Sequence, residues 1–261
     1  MAFVKTEVQG AVEIITIDRP KALNALNPEV LADLKAAFEA VDQDAIRCIV
    51  LTGEGDKSFV AGADIGSMST MTKAEGEAFG KLGNDVFLMI EHFPIPVIAA
   101  VNGFALGGGN ELAMSCDIRI CSDNAVFGQP EVGLGITPGF GGTQRLARLV
   151  GMGMAKQLVY SALNIKADEA YRIGLVNAVY PQAELMENVL KLANKIAKNA
   201  PIAVRNCKKA INDGISLPIE KAVEVEEKLF GDCFETHDQK EGMACFLSCE
   251  KPKPKAVFTN N

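Results

Sequence analysis

Pro96-Val-Ile-Ala-Ala-Val-Asn-Gly-Phe-Ala-Leu-Gly-Gly-Gly-Asn-Glu-Leu112 is the stretch on which the reading of the fold turns. Its opening residues are apolar and stop at Asn102-Gly103, as a short buried strand does. Phe104-Ala105-Leu106 leads into three glycines, and Asn110 to Cys116 has a helical pattern. Gly108 and Gly109 then stand at a helix N-terminus, where free N–H groups favour an anion and the missing side chains allow close approach. A plainer reading is also open. The glycines can serve only to pack helix on sheet, and Glu111 can serve the helix dipole as a first-turn acid.

The same strand-then-helix unit recurs on both sides of this stretch. Val12 to Ile17, Cys48 to Thr52, Asp117 to Cys121 and Leu175 to Tyr180 read as strands, and Ala125 to Phe127 as a further short one. Phe59 to Ala63 reads as a strand running into a loop. Glu29 to Val41, after Pro28, and Lys73 to Ile90 read as helices. Alternating strands and helices indicate an α/β layer architecture. From Glu184 only helices follow: 184–198, 201–213, 218–230 and 238–250. The expected division is an α/β core over residues 1–200 and a helical region over 201–261. Lys251-Pro-Lys-Pro-Lys255 reads as an extended tail.

The second informative stretch runs from Gln129-Pro130-Glu131 to Pro138-Gly-Phe-Gly-Gly142. Glu131 lies among glycines and apolar residues, Val132 to Ile136, where desolvation raises a carboxyl's pKa toward that of a general acid; a surface loop is the alternative. The helix expected from Thr143 to Leu149 has free N–H groups at its start, able to position a water or an anion. Phe59-Val-Ala-Gly-Ala-Asp-Ile65 ends a strand in small residues, against which a ligand can lie, although Asp64 can equally be a helix N-cap. Two carboxyls in different environments can supply one acid and one base. With oxyanion donors beside them, they suggest chemistry next to a carbonyl.

Composition narrows the field. The chain has 261 residues, 33 acidic against 26 basic, an acid excess of seven that argues against general nucleic-acid binding. No apolar run approaches the roughly 20 residues of a membrane helix. Met1 to Gly10 contain Lys5 and Glu7 and no apolar core, so no export signal is expected. The seven cysteines form no C-x-x-C pair and read as reduced thiols of a cytoplasmic protein. Cys245 and Cys249, four apart, are expected to share a helix face, but with only His237 nearby no metal site is expected. Gly133-x-Gly135 is followed by Pro138 where the dinucleotide fingerprint needs glycine. No phosphate-binding loop and no G-x-S-x-G occur. The only histidines are His92 and His237, which speaks against triad hydrolysis.

Five stretches taken together resemble the enoyl-CoA hydratase (crotonase) family over essentially the whole length: Asp18-Arg-Pro-Lys-Ala-Leu-Asn-Ala-Leu26, Phe59 to Ile65, Pro96 to Leu112, Phe127-Gly-Gln-Pro-Glu-Val132, and Pro138 to Leu146. The resemblance implies a spiral of ββα turns with a C-terminal helical region that builds homotrimers, usually paired into hexamers. It implies an acyl-CoA thioester whose carbonyl is held by the N–H groups of Ala63 and Gly108, two catalytic glutamates at Glu111 and Glu131, and a water aimed by Gly139. Coenzyme A is then part of the substrate, with no separate cofactor. Its adenine end is expected against Ala61, Ala63, Asp64 and Ile65, with Lys21, Ala22 and Leu23 close by.

Members with both glutamates are typically hydratases, and the resemblance is closest to short-chain members. It therefore implies reversible syn hydration of a trans-2-enoyl-CoA such as crotonyl-CoA, within fatty acid metabolism. Double-bond isomerisation on the same scaffold remains open, as does a non-catalytic, RNA-binding scaffold. The chain departs from the family at Asn110, where many hydratases carry Cys, and at Phe140, where a small residue is usual. It departs again in Phe246-Leu-Ser-Cys-Glu-Lys251, so no phosphate-binding lysine is carried over there. The acyl pocket is expected to be walled by residues 66–83, with Met68 and Met71 in its lining.

Overall fold

A computed structural model describes the whole chain, Met1–Asn261. It begins with a hairpin, β1 (Val4–Gln9) and β2 (Val12–Ile17), turned at Gly10 with φ +63°. Helix α1 (Pro28–Glu39) follows, with Pro28 in its first turn and the Asn27 side chain accepting from Val30 N–H. Three successive turns of a spiral come next. Each places one strand in a first sheet, one in a second sheet, and then a helix.

The first turn is β3 (Cys48–Gly53), β4 (Ser58–Val60), the short α2 (Ile65–Met68) and α3 (Lys73–Glu91), which opens on a Thr72/Glu75 capping box. The second is β5 (Val97–Val101), β6 (Phe104–Leu106) and α4 (Gly108–Ser115). The third is β7 (Ile118–Ser122), β8 (Val126–Gly128), α5 (Gly142–Val150) and α6 (Met152–Ser161). β9 (Ile165–Lys166), α7 (Ala167–Arg172), β10 (Ala178–Tyr180) and α8 (Leu185–Ala197) complete the layers. The first sheet has the order β1-β2-β3-β5-β7-β10, parallel except for the β1/β2 hairpin; the second has β4-β6-β8-β9, parallel except for β8/β9.

The unbroken apolar runs of β3 and β5 have a direct cause. Both faces of the first sheet are covered. Ile49 and Leu51 point into the main core with Phe38, Phe59 and Phe87, while Cys48 and Val50 face α8. α8 meets them with Leu185, Val189, Ala193 and Ala197, one residue per turn along a single stripe.

The mixed α/β architecture and the helical C-terminal part agree with the sequence reading. Local boundaries differ. Leu175 to Asn177 are not strand: Leu175 and Val176 donate back to Ala170 O and close α7. β1, β6, α6 and α7 had no clear signal; β1 is exposed beyond Val4, mostly polar, and exists because β2 gives it a partner. Beyond Ala200 come α9 (Pro201–Gly214), α10 (Ile219–Cys233) and α11 (His237–Leu247). Lys208 ties α9 to the layers through Asp117 at 2.7 Å. Cys249 lies past the end of α11, so it shares no helix face with Cys245. The last residues fold back, with Thr259 and Asn260 N–H donating to the buried carboxyl of Asp238. No helix is long and apolar enough to cross a membrane.

Candidate active site

The spiral brings the two glycine turns together. β6 delivers the chain to Gly107, whose φ of +49° turns it sharply into α4. α4 is buried from Gly108 to Ser115, so its N-terminal N–H groups point into protein interior rather than solvent. It can lie this deep because Gly109 has no side chain; a Cβ there would stand 1.9 Å from Val60 O. Glu111, one turn in, has a side chain on the cavity wall that is only 1 % exposed. From β8 the chain passes Gln129 and Pro130 into a 3-10 turn, Glu131–Leu134, that places the Glu131 side chain against the same cavity.

Each carboxyl is seated by the opposite turn. Glu111 Oε1 accepts from Phe140 N–H at 2.9 Å and from Gly142 N–H at 2.6 Å. A Cβ on Gly142 would lie 2.7 Å from that oxygen and 2.2 Å from the Gln129 amide. Glu131 Oε1 lies 2.6 Å from where a Cβ on Gly107 would be, and Oε2 is buried with no protein partner. In the orientation that satisfies its neighbours, the Gln129 amide nitrogen donates to Glu131 Oε1 at 3.3 Å and to the Gly107 and Gly128 carbonyls at 3.2 Å. Burial, aided by the nearby Glu131 carboxyl, pushes Glu111 up to about 7 against the pull of the two amides and of Arg145. Burial also raises Glu131.

The carboxyls share a cavity of about 720 Å³ with Ala63, Gly108, Gly139 and Phe140. Ala63 bridges Leu26 in parallel, and the flanking bonds, Leu26 N–H to Gly62 O and Asp64 N–H to Leu26 O, leave the Ala63 N–H pointing away and unbonded to protein. Gly108 N–H is the first of α4 and has no intrahelical acceptor. Gly139 N–H is also unbonded to protein, while its carbonyl accepts from Asn84 Nδ2. Met68 and Met71 lie along the wall with Phe79.

Ala61 and Ile65 reach the cavity too, whereas Lys21, Ala22, Leu23 and Asp64 lie outside its lining. Lys21 and Ala22 form a 3-10 turn ended by Leu23 at φ +50°, and Leu23 O accepts from Ala61 N–H at 3.0 Å. Asp64 caps α2 through Gly66 N–H and pairs with Arg19 at 2.8 Å, which holds its carboxyl below the usual range. The sequence reading assigned nothing to Gln129, Asn84 or Arg145. Arg145 had a usable signal: it follows Gly141 by one helical turn, which brings its side chain back over the bend.

The family model described as enoyl-CoA hydratase/isomerase matches residues 7–259. The chain is 58% identical over 246 residues to the short-chain-enoyl-CoA hydratase of Clostridium acetobutylicum, covering 94% of each chain. It is 56% identical over 246 residues to the crotonyl-CoA hydratase of Syntrophomonas wolfei, covering 94% of this chain and 95% of that one. It superposes on the crystal structure of an enoyl-CoA hydratase from Bacillus anthracis with a TM-score of 0.95 at 36% identity, covering 99% of this chain and 100% of that one.

Proposed function

The chain belongs to the enoyl-CoA hydratase/isomerase family, and from that membership we propose that it adds water reversibly across the double bond of a short trans-2-enoyl-CoA, foremost crotonyl-CoA, giving the 3-hydroxyacyl-CoA. The observation that carries this reading is the convergence of Glu111 and Glu131 on one cavity with the uncommitted N–H groups of Ala63 and Gly108.

The thioester oxygen lies between the Ala63 and Gly108 N–H groups, at the positive end of α4. Glu111, as carboxylate, takes a proton from water while the water oxygen bonds to C3. The electron pair of the double bond moves toward the thioester oxygen, where the two amides stabilise enolate charge that is larger in the transition state than in the substrate. Glu131, as carboxylic acid, gives its proton to C2. The Gly139 N–H orients the water. The division of roles follows the geometry. Two amides on one oxygen orient the Glu111 carboxylate, which forms above about pH 7 despite its burial, and the partnerless Glu131 Oε2 suits a protonated group.

Coenzyme A enters as part of the substrate. Its adenine end lies on the shelf made by Lys21, Ala22, Leu23, Ala61 and Ile65. Asp64 contributes by fixing the 61–65 bend, since its oxygens are taken by Arg19 and Gly66. Residues 201–261 assemble the chain into a homotrimer or a dimer of trimers. Exposed Ile211, Ile215, Ile219, Phe230, Phe246 and Leu247 support that reading, because solitary subunits rarely leave so much apolar surface in water. Light scattering then gives three or six times the mass of the chain.

The deciding experiment incubates the protein with 2-enoyl-CoA and, separately, 3-enoyl-CoA over a series of chain lengths, following the absorbance of the conjugated thioester. Hydration consumes the signal from the 2-enoyl substrate, fastest at four carbons. Signal growth from the 3-enoyl substrate, with the 2-enoyl substrate untouched, would establish an isomerase instead.

A further inference from the structure

The bend that grips Glu111 is itself held by side chains at two of its carbonyls. Gly139 O accepts from Asn84 Nδ2 of α3 at 2.8 Å, and Phe140 O accepts from Arg145 Nη1 of α5 at 2.9 Å. Gly141 sits at φ +96°, and a Cβ there would lie 2.3 Å from Arg145 Nη1, so the guanidinium fills the space under the bend. The Arg145 side chain is only 9% exposed. Glu91, the last residue of α3, fixes it from the far side. Glu91 Oε2 accepts from Nε at 3.0 Å and from Nη2 at 2.7 Å. The Glu91 carbonyl in turn accepts from Asn212 of α9 at 3.1 Å. A planar fork bonded on both sides holds its geometry where a lysine ammonium would not.

We propose that Arg145 is a positioning residue for Glu111: Glu91 locks the guanidinium, the guanidinium fixes the Phe140 carbonyl, and the 140–142 amides then hold one Glu111 oxygen and leave the other for the cavity. The proposal rests on the role given to Glu111 above. The charged groups near the Glu111 carboxyl are few. Glu131 faces it across the cavity and raises its proton affinity; Arg145 lowers it. From α3, Lys73 reaches the cavity rim but is exposed and paired with Glu77, and Lys81 and Asp85 pair with each other at the surface. Arg148 of α5 is exposed and bonded to Gln144. β4 and β6 carry no charged residue.

The test uses the full chain with Arg145→Met, Arg145→Lys and Glu91→Gln. Two quantities are read: kinetics with crotonyl-CoA across about pH 6 to 9, and carbon-13 titration of the glutamate carboxyls, the Glu111 signal being the one missing from Glu111→Gln. In Arg145→Met, kcat is expected to fall on the order of 10- to 100-fold with KM within about twofold, because the acid–base geometry is lost and the binding shelf is not. The Glu111 midpoint and the acidic limb of kcat both move to higher pH, because the charge that favours the carboxylate is gone. Arg145→Lys keeps the charge but not the fork, so kcat falls with little movement of the midpoint. Glu91→Gln loosens the fork but keeps the guanidinium charge, so kcat falls, less than in Arg145→Met, with no upward movement of the midpoint.

A folded Arg145→Met with unchanged kcat and an unchanged midpoint overturns the proposal. So does a loss confined to thermal stability. If Arg145→Met does not fold, normal kcat in both Arg145→Lys and Glu91→Gln overturns it. If the wild-type chain hydrates no enoyl-CoA, the assigned activity falls, and the carboxyl titration still decides whether Arg145 governs Glu111.

Discussion

The bend at Gly107–Gly109 seats the carboxyl of Glu131, and the bend at Gly139–Gly142 seats that of Glu111, so each glutamate is held by the turn that lies apart from it in sequence. The first bend offers Glu131 space: its oxygen occupies the volume a Gly107 side chain would fill. The second offers Glu111 donors, two amides on one oxygen. Glycine gives both carboxyls room, and the second turn adds main-chain donors. Those donors favour the carboxylate of Glu111 without outweighing its burial, while Glu131 meets only the Gln129 amide from its own side of the cavity.

The largest test of this contrast removes the titrating groups. Glu111→Gln and Glu131→Gln should each lower kcat for crotonyl-CoA hydration by about 10²–10⁴-fold while leaving the fold intact. Because the two serve one addition, as its base and its acid, the double variant should be little worse than the poorer single one. A near-normal rate from either single variant would remove that residue from the chemistry.

A smaller effect separates room from donors. Gly107→Ala puts a methyl group 2.6 Å from Glu131 Oε1 at a φ of +49°, and Gly142→Ala puts one 2.7 Å from Glu111 Oε1 while keeping the N–H. Displacing either carboxyl by about 1 Å should cost on the order of 10²-fold in kcat. Gly139→Ala meets nothing within 4 Å and keeps its N–H, so its kcat should stay close to wild type. Comparable damage from all three would mean that backbone flexibility, not space at the carboxyls, is what these glycines supply.

Much of this was legible in the sequence, and the gaps have physical reasons. β3 and β5 read correctly because burial on both faces leaves nearly continuous apolar runs, and β2 and β7 because apolar residues still dominate them around the buried Glu13 and Arg119. The glycine turns announced the helices that follow them, expected from Asn110 and from Thr143; α4 begins two residues earlier, at Gly108, and α5 one earlier, at Gly142. β6 and β9 were not legible: they are three and two residues long and owe their form to neighbours in the second sheet. Glu111 and Glu131 could be named as candidates, but not their exchange of turns, since contact between residues 111 and 142 is a product of the spiral. Arg145 escaped notice for the same reason: its partner Glu91 lies 54 positions away.

Phe140 sharpens the comparison in a different quantity. Its ring stands edge-on to Phe79 and Phe87, at 5.1 and 5.6 Å, and a Cβ on Gly83 would come within 2.3 Å of it. The ring therefore closes the cavity on the side of α3. Phe140→Ala keeps the amide that holds Glu111 but removes the stopper. The ratio of kcat/KM for a six-carbon over a four-carbon enoyl-CoA should rise about tenfold or more. Stability should drop by about 3–5 kcal/mol from the emptied core, read as a lower Tm. An unchanged ratio would place the chain-length limit elsewhere in the wall, at Met68 or Met71.

The smallest expected effect concerns stability and runs opposite to activity. Glu111 in the folded chain holds its proton up to about pH 7, above the usual carboxylate range. The folded state thus binds a proton that the unfolded chain has already released, and stability falls as pH rises from about 4.5 to 7, then levels off. Glu111→Gln has no such proton to lose and can still accept both amides. Its Tm should match the wild type near pH 4.5, exceed it by a growing margin up to pH 7, and keep that margin above. The span from 4.5 to about 7 corresponds to no more than about 3.5 kcal/mol, hence several degrees. Melting curves at half-unit pH steps measure the margin. If the gap stays flat with pH, the amides of the second turn already offset the burial of the charge, and Glu111 is seated more comfortably than its depth in the fold implies.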